Sequence, residues 1–403
     1  MIAAAVQIEP ASFLVVVALG ALAGTLSAIL GGRGLLLPTV VIELIFGVIV
    51  GPQVLGLHTT ALLEFFADLG LGMLFFFAGY EIDLHRIAGK PLRLAAFGWA
   101  ISLALAYTVG GVLAAAGIVL SLVYTGSAIA TTAIGTLIPI LSDTGELRTR
   151  LGTYLLAAGA VGEFGPILLL TLVLSTDRPA KNAVILLGFV ALAVIVALIA
   201  VRSSEHTLSL FERTIEKSSQ LAVRWIVLLV FALATLANEL GLDLLLGGFA
   251  AGLITRQVLK EREVRGFDSK LTAVAFGVFV PFFFVVSGMQ LDVKALFSGT
   301  SGVVKMVVFF VLFLVVRGTP ALLLYRSVLS QRERLALAFF SSTQLPLVLA
   351  ITTVARETGN MRASTQAALV CAAVLSTLVY PLLGLRMRRA ETPLAVPEIA
   401  RSG

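Results

Sequence analysis

Charge is what this chain has least of. Asp, Glu, Lys and Arg make up 13% of its 403 residues, against 59% hydrophobic residues and a mean hydropathy of +1.03. A soluble domain of this length needs far more charge to cover its surface, so a soluble globular fold is excluded. Cysteine is almost missing: Cys371 stands alone, which rules out an intramolecular disulfide. The three histidines, His58, His85 and His206, are far apart and form no metal-ligand spacing. Met1 to Pro10 contains no Lys or Arg, so the basic start of a signal peptide is missing and the segment reads as a translocated tail. Neither a Ser/His or Cys/His pair nor a carboxylate cluster stands at membrane depth, which argues against an intramembrane enzyme. A filter-like carbonyl loop is also missing, which argues against a channel. The net charge of +6 is no nucleic-acid signal, because the basic residues sit in short loops between apolar runs.

What is present is hydrophobicity along the whole length, the mark of an all-α polytopic membrane protein. Apolar runs give thirteen spans, at about 12–31, 36–52, 60–80, 94–116, 119–141, 151–174, 182–201, 221–239, 243–256, 271–291, 303–325, 334–355 and 364–385. With the N-terminus outside, 22 of the 29 Lys and Arg residues fall in cytoplasmic segments and 6 in outer ones, leaving Arg317 inside the membrane. By the positive-inside rule the C-terminus, with a short tail at 391–403, is cytoplasmic and the protein is expected in the cell (inner or plasma) membrane.

Two charges stand deep in these spans. Glu163 is the only charged residue among the 26 between Arg150 and Asp177, at the midpoint of that run. Arg317 is the only one between Lys305 and Arg326. A charge at mid-bilayer costs roughly 2.5–3.5 kcal/mol on insertion scales, so an acid and a base so placed point to an ion pathway. The alternative is an inert pair bracing the bundle. Glu43 is a third deep charge, read equally as a second cation ligand, a partner for Arg317 or a subunit-interface residue. Asp68, about two turns into the third span, is read as lining an access funnel or capping packing.

Two stretches echo each other. Phe77-Ala78-Gly79-Tyr80-Glu81-Ile82-Asp83-Leu84 ends the third span, and Val286-Ser287-Gly288-Met289-Gln290-Leu291-Asp292-Val293 ends the tenth. Leu35-Leu36-Leu37 leading to Gly47 likewise matches Leu244-Leu245-Leu246 leading to Gly252. Repeat one then covers about 12–174, the span at about 182–201 is a connector, and repeat two covers about 221–385. A single connecting crossing inverts the second half, and inverted six-helix repeats are an architecture of secondary transporters. In the fifth span, Gly126 to Gly135 concentrates small and β-branched residues ahead of Pro139, and Ser341-Ser342-Thr343-Gln344-Leu345-Pro346 is its counterpart in the twelfth. Each is either a mid-membrane unwinding or a helix packed closely through small residues.

Several motifs resemble the cation:proton antiporter superfamily, in the branch with bacterial sodium/proton exchangers and potassium efflux systems. They are Leu37-Pro38 with Gly47, Gly51-Pro52 and Leu55-Gly56-Leu57; Leu69-Gly70-Leu71; Thr131-Thr132-Ala133-Ile134 before Leu141-Ser142-Asp143; Gly247-Gly248-Phe249-Ala250-Ala251-Gly252; and Pro281-Phe282-Phe283-Phe284. The resemblance runs over about 12–385. It implies crossed discontinuous helices lined by Thr131, Thr132, Thr343 and Gln344, no cofactor, a homodimer, and exchange of Na+ or K+ for protons with Glu163 as the shared site and Arg317 as its charge partner. Three departures stand out: family members usually carry Asp where this chain has Glu163, preceded by an acid or amide where it has Gly162; a basic position often Lys is Arg317; and an acid is often found at Gln344. With one titrating acid the simplest stoichiometry is one proton per cation. A sodium-coupled symporter of an organic anion, or a sensor that does not transport, is the alternative.

Overall fold

The computed structural model describes residues 10–33, 37–173, 179–202, 219–242, 244–259, 267–297 and 300–388, all of whose regular elements are helical. Both expected tails and His206 lie outside the described residues. In chain order the main helices are α1 (Pro10–Gly32), α2 (Thr39–Val50), α3 (Ala61–Tyr80), α4 (Lys90–Ala115), α5 (Leu122–Ile129), α6 (Ile134–Asp143), α7 (Arg150–Val173) and α8 (Pro179–Arg202). They continue with α9 (Leu221–Glu239), α10 (Leu244–Leu259), α11 (Phe267–Gln290, with a π-helical turn at Ala275–Phe279), α12 (Thr300–Leu324), α13 (Gln331–Ser341), α14 (Pro346–Glu357) and α15 (Ala363–Met387). Among the described residues nine helical stretches are long and apolar enough to cross a membrane. Four shorter apolar stretches, at Thr39–Val50, Leu122–Ile138, Val184–Ala200 and Leu244–Leu259, bring the candidates to the thirteen expected.

Helix starts follow local chemistry. Thr60 caps α3 by accepting from the Leu63 amide, and Ser330 with Glu333 forms a reciprocal capping box at the start of α13. Pro346 opens α14, where its missing N–H costs nothing.

Two helix bundles emerge from the packing. α1–α3 associate with α9–α11, and α4–α7 associate with α12–α15. In the first bundle the decisive contacts are the crossings of α2 on α11 and of α3 on α10, and the four echoed glycines make both. A Cβ on Gly47 would stand 2.0 Å from the Val285 carbonyl, and one on Gly288 2.2 Å from that of Leu44. A Cβ on Gly252 would stand 2.0 Å from the Phe76 carbonyl, and one on Gly79 2.2 Å from that of Phe249. Each glycine thus lies under the carbonyl three residues before its partner glycine, in the same way in both crossings. Backbones this close leave no room for a side chain, and the short sequence echo is the residue of that constraint.

Candidate functional site

The site grows out of two interruptions in the second bundle. Between α5 and α6 the helix lapses at residues 130–133, and between α13 and α14 at residues 342–345. Both stretches read in the sequence as unwound or merely close-packed are therefore unwound, and they lie against each other. The Ala133 amide donates to the Thr343 carbonyl at 2.8 Å, and the Thr132 hydroxyl to the Ser341 carbonyl at 2.6 Å. The Gln344 amide nitrogen donates to the Ile129 carbonyl, and the Thr131 hydroxyl to Gln344 Oε1, each at 3.0 Å. Thr131, Thr132, Thr343 and Gln344 are all buried, so side-chain oxygens and amides supply the partners that the broken helices forgo.

Glu163, 6% exposed, projects from α7 onto this crossing. Its Oε1 accepts from the Ile134 amide at 2.9 Å, with the Gly135 amide alongside. The carboxyl therefore caps the N-terminus of α6, where exposed amides and the half-helix dipole favour negative charge. Its Oε2 is buried and, among the described residues, has no hydrogen-bond partner. The second half builds the same joint from neutral groups. Ser376 is the fourteenth residue of α15, as Glu163 is of α7, and its hydroxyl accepts from the Gln344 amide at 3.0 Å. Thr377 donates to the Gln344 carbonyl at 3.0 Å.

Arg317 departs from the expectation of a charge partner. It is buried and close to α7, yet among the described residues it forms no ion pair with Glu163. Its guanidinium instead donates to the Thr132 hydroxyl at 2.8 Å, the Ser341 carbonyl at 3.4 Å, the Ser102 hydroxyl at 3.3 Å and the Ala158 carbonyl at 3.2 Å. The planar fork ties α12 to both interruptions, to α4 and to α7 at once, which a point-charge ammonium cannot do. The Ser341 carbonyl is the negative end of α13, so base and acid are each answered by a half-helix end. The Gly162 departure follows from this. A Cβ there would lie 2.6 Å from Arg317 Nη2 and 2.8 Å from the Thr132 hydroxyl, so the volume for a second acid is already filled.

Glu43 and Asp68 both lie away from this site. Glu43 is buried on α2 in the first bundle, in a cavity of about 390 Å³ between α1 and the π-helical turn of α11. It is neither a partner of Arg317 nor at the interruptions. Asp68 lies on the exposed face of α3 and is likewise not part of the crossing. Ser102, Ser376 and Thr377 were not foreseen. The two on α15 were open to discovery, because matching the interruption at 130–133 with that at 342–345 brings Glu163 to within one residue of Ser376.

Inverted halves with crossed, interrupted helices and a carboxyl at the crossing define a secondary transporter of the broken-helix kind. The profile of the sodium/hydrogen exchanger transmembrane family matches residues 15–384, and the chain belongs to that family. It is 28% identical over 268 residues to the probable Na(+)/H(+) antiporter 3 of Methanocaldococcus jannaschii, covering 65% of this chain and 68% of that one. It is 29% identical over 281 residues to the Na(+)/H(+)-K(+) antiporter GerN of Bacillus cereus, covering 67% and 68%. The putative Na(+)/H(+) antiporter YjbQ of Bacillus subtilis is 25% identical over 378 residues, which is 89% of this chain but 60% of YjbQ. The sodium proton antiporter MjNhaP1 of Methanocaldococcus jannaschii shares the fold, with a TM-score of 0.66 at 16% identity over 92% of this chain and 96% of that one.

Proposed function

We propose that the protein is an antiporter that exchanges a monovalent cation, Na+ or K+, for protons by alternating access, with Glu163 as host to each in turn. The observation that carries this reading is the Glu163 carboxyl, which has one oxygen on the α6 amides and the other unpartnered beside unwound backbone. A proton on Oε2 or an alkali cation held between Oε2 and nearby oxygens would satisfy the free atom, and the two cannot occupy it together. Hard oxygen donors suit such a cation. The names of the relatives agree: antiporters of Na+ and H+, one of which also carries K+ in its name. Arg317 holds the crossing in shape and contributes positive charge near Glu163 without pairing with it. The charge distribution supports an external N-terminus in the cell membrane, and the family likeness supports a homodimer.

Proteoliposomes with a trapped pH-sensitive dye test this. Added Na+ or K+ should collapse an imposed pH gradient with the wild-type protein. Glu163→Gln should insert normally and show no exchange, and Glu163→Asp should retain a fraction of the rate with altered cation preference. Wild-type rates from Glu163→Gln, or no response of the wild type to any alkali cation across pH, would overturn the proposal.

A further inference from the structure

The first bundle holds a buried acid of its own. Glu43 of α2 is 3% exposed, and among the described residues its Oε2 has no hydrogen-bond partner and its carboxyl no ion pair. An acid buried in a membrane protein either pairs within the bundle or faces a cavity that brings it a partner. Glu43 does the second. It lines the cavity of about 390 Å³ between α1, α2 and α11, away from the crossing of the interrupted helices.

The walls of this cavity define what fits. Among the described residues that form them, Thr25 and Thr39 are the only other polar side chains, and there is no Lys or Arg. At one point α1 and α11 touch, where a Cβ on Gly20 would stand 3.0 Å from Cβ of Pro281. Elsewhere they part, and a Cβ on Gly24 or Gly277 would meet nothing within 4 Å. Phe282 stiffens the wall by packing on Phe13 and Phe66, with ring centroids 5.1 and 4.9 Å away. Gly277 belongs to the π-helical turn of α11, and single π-turns within α-helices recur at functional sites. A space of this size, apolar but for a few placed polar groups, has the make-up of a small-molecule site.

Three ligand chemistries could answer the carboxyl. A bare alkali cation needs a shell of oxygens, and the walls offer few; the Thr25 hydroxyl already donates to the Ala21 carbonyl at 2.9 Å. A zwitterionic lipid headgroup would carry a phosphate into a space where no described basic side chain meets it. An ammonium on a hydrocarbon chain meets both demands. It brings N–H donors and positive charge to Glu43, and apolar surface to the walls. We propose that this cavity binds a hydrophobic primary amine in its protonated form, held by Glu43. The site is separate from Glu163 and does not depend on what that residue carries.

Calorimetric titration of the purified full chain in phosphatidylcholine nanodiscs, with protein-free discs subtracted, tests this. The ligands are n-octylamine at neutral pH and 1-octanol, and the variants are Glu43→Gln and Gly24→Leu. The wild type should bind octylamine saturably. Glu43→Gln should weaken that binding roughly tenfold or more, as the loss of one charge-assisted hydrogen bond implies. 1-Octanol, with the same chain but no charge, should bind the wild type as weakly as octylamine binds Glu43→Gln. Gly24→Leu, whose side chain fills the open space, should abolish binding with Glu43 still in place. Equal affinity of wild type and Glu43→Gln for the amine, or of the wild type for amine and alcohol, overturns the proposal. Should Glu43→Gln fail to insert, undiminished binding by Gly24→Leu overturns it. Absence of saturable octylamine binding overturns it too; if the wild type alone then gains thermal stability when phosphatidylethanolamine is added to the discs, the ammonium belongs to lipid.

Discussion

At the residue scale the chemistry is set by which polar atoms are satisfied. Arg317 has spent its donors on four neutral oxygens, and Glu163 has kept one oxygen free. Replacing Arg317 by Lys keeps the charge but gives up the fork. Each charge-assisted hydrogen bond is worth about 1.5–3 kcal/mol, so losing even one should lower the thermal midpoint measurably and slow exchange. A Lys at 317 with wild-type melting and rate would show that the fork is idle. Gly162→Asp, which restores the residue type common in the family, should not create a second working acid. Its Cβ alone meets Arg317 and Thr132, so dye-monitored exchange should fall instead of turning electrogenic. The two deep charges were legible because polar residues in long apolar runs advertise themselves. Their failure to pair was not, since pairing depends on rotamers and on helix ends that no sequence pattern displays.

At the scale of the helix, the fold depends on places where helices stop or touch. The two interruptions were readable as small and hydroxylic residues before a proline, but only as one of two outcomes. What decides for unwinding is that each interruption supplies the other's missing partners, such as the Ala133 amide to the Thr343 carbonyl, and that is a long-range fact. The glycine crossings were more legible, because a backbone contact admits a single residue type and so leaves the same mark in both halves. Gly47, Gly79, Gly252 and Gly288 should therefore respond alike to alanine. Overpacking costs about 1–3 kcal/mol where a core can yield, and a clash with backbone yields little, so each variant should lose at least that in stability. Gly24→Ala is the control, since nothing lies within 4 Å of a Cβ there. Melting of the purified variants checks this, and an unchanged midpoint for Gly79 or Gly252 would refute the crossing geometry.

At the scale of the whole molecule, one bundle holds the glycine crossings and the other holds the proposed site, and the proposed alternating access requires them to move relative to each other. The seam is where this is most exposed to test, at the stack of Phe164 on Phe249. Cysteines introduced at these two positions, in a chain whose single native Cys371 has been replaced by Ser, can be joined by a short cleavable linker. The unlinked double variant should exchange at a reduced but measurable rate, because losing the stack costs only about 0.5–1.5 kcal/mol beyond the area it buries. Linking should abolish turnover, and cleaving the linker should restore it, whereas cation binding measured without turnover should survive in the linked form. Rigid packing within each bundle, with motion confined to the seam, requires that outcome. Full exchange by the linked protein would mean that the site opens to both sides without the bundles separating at Phe164, and the division of labour between them would have to be redrawn.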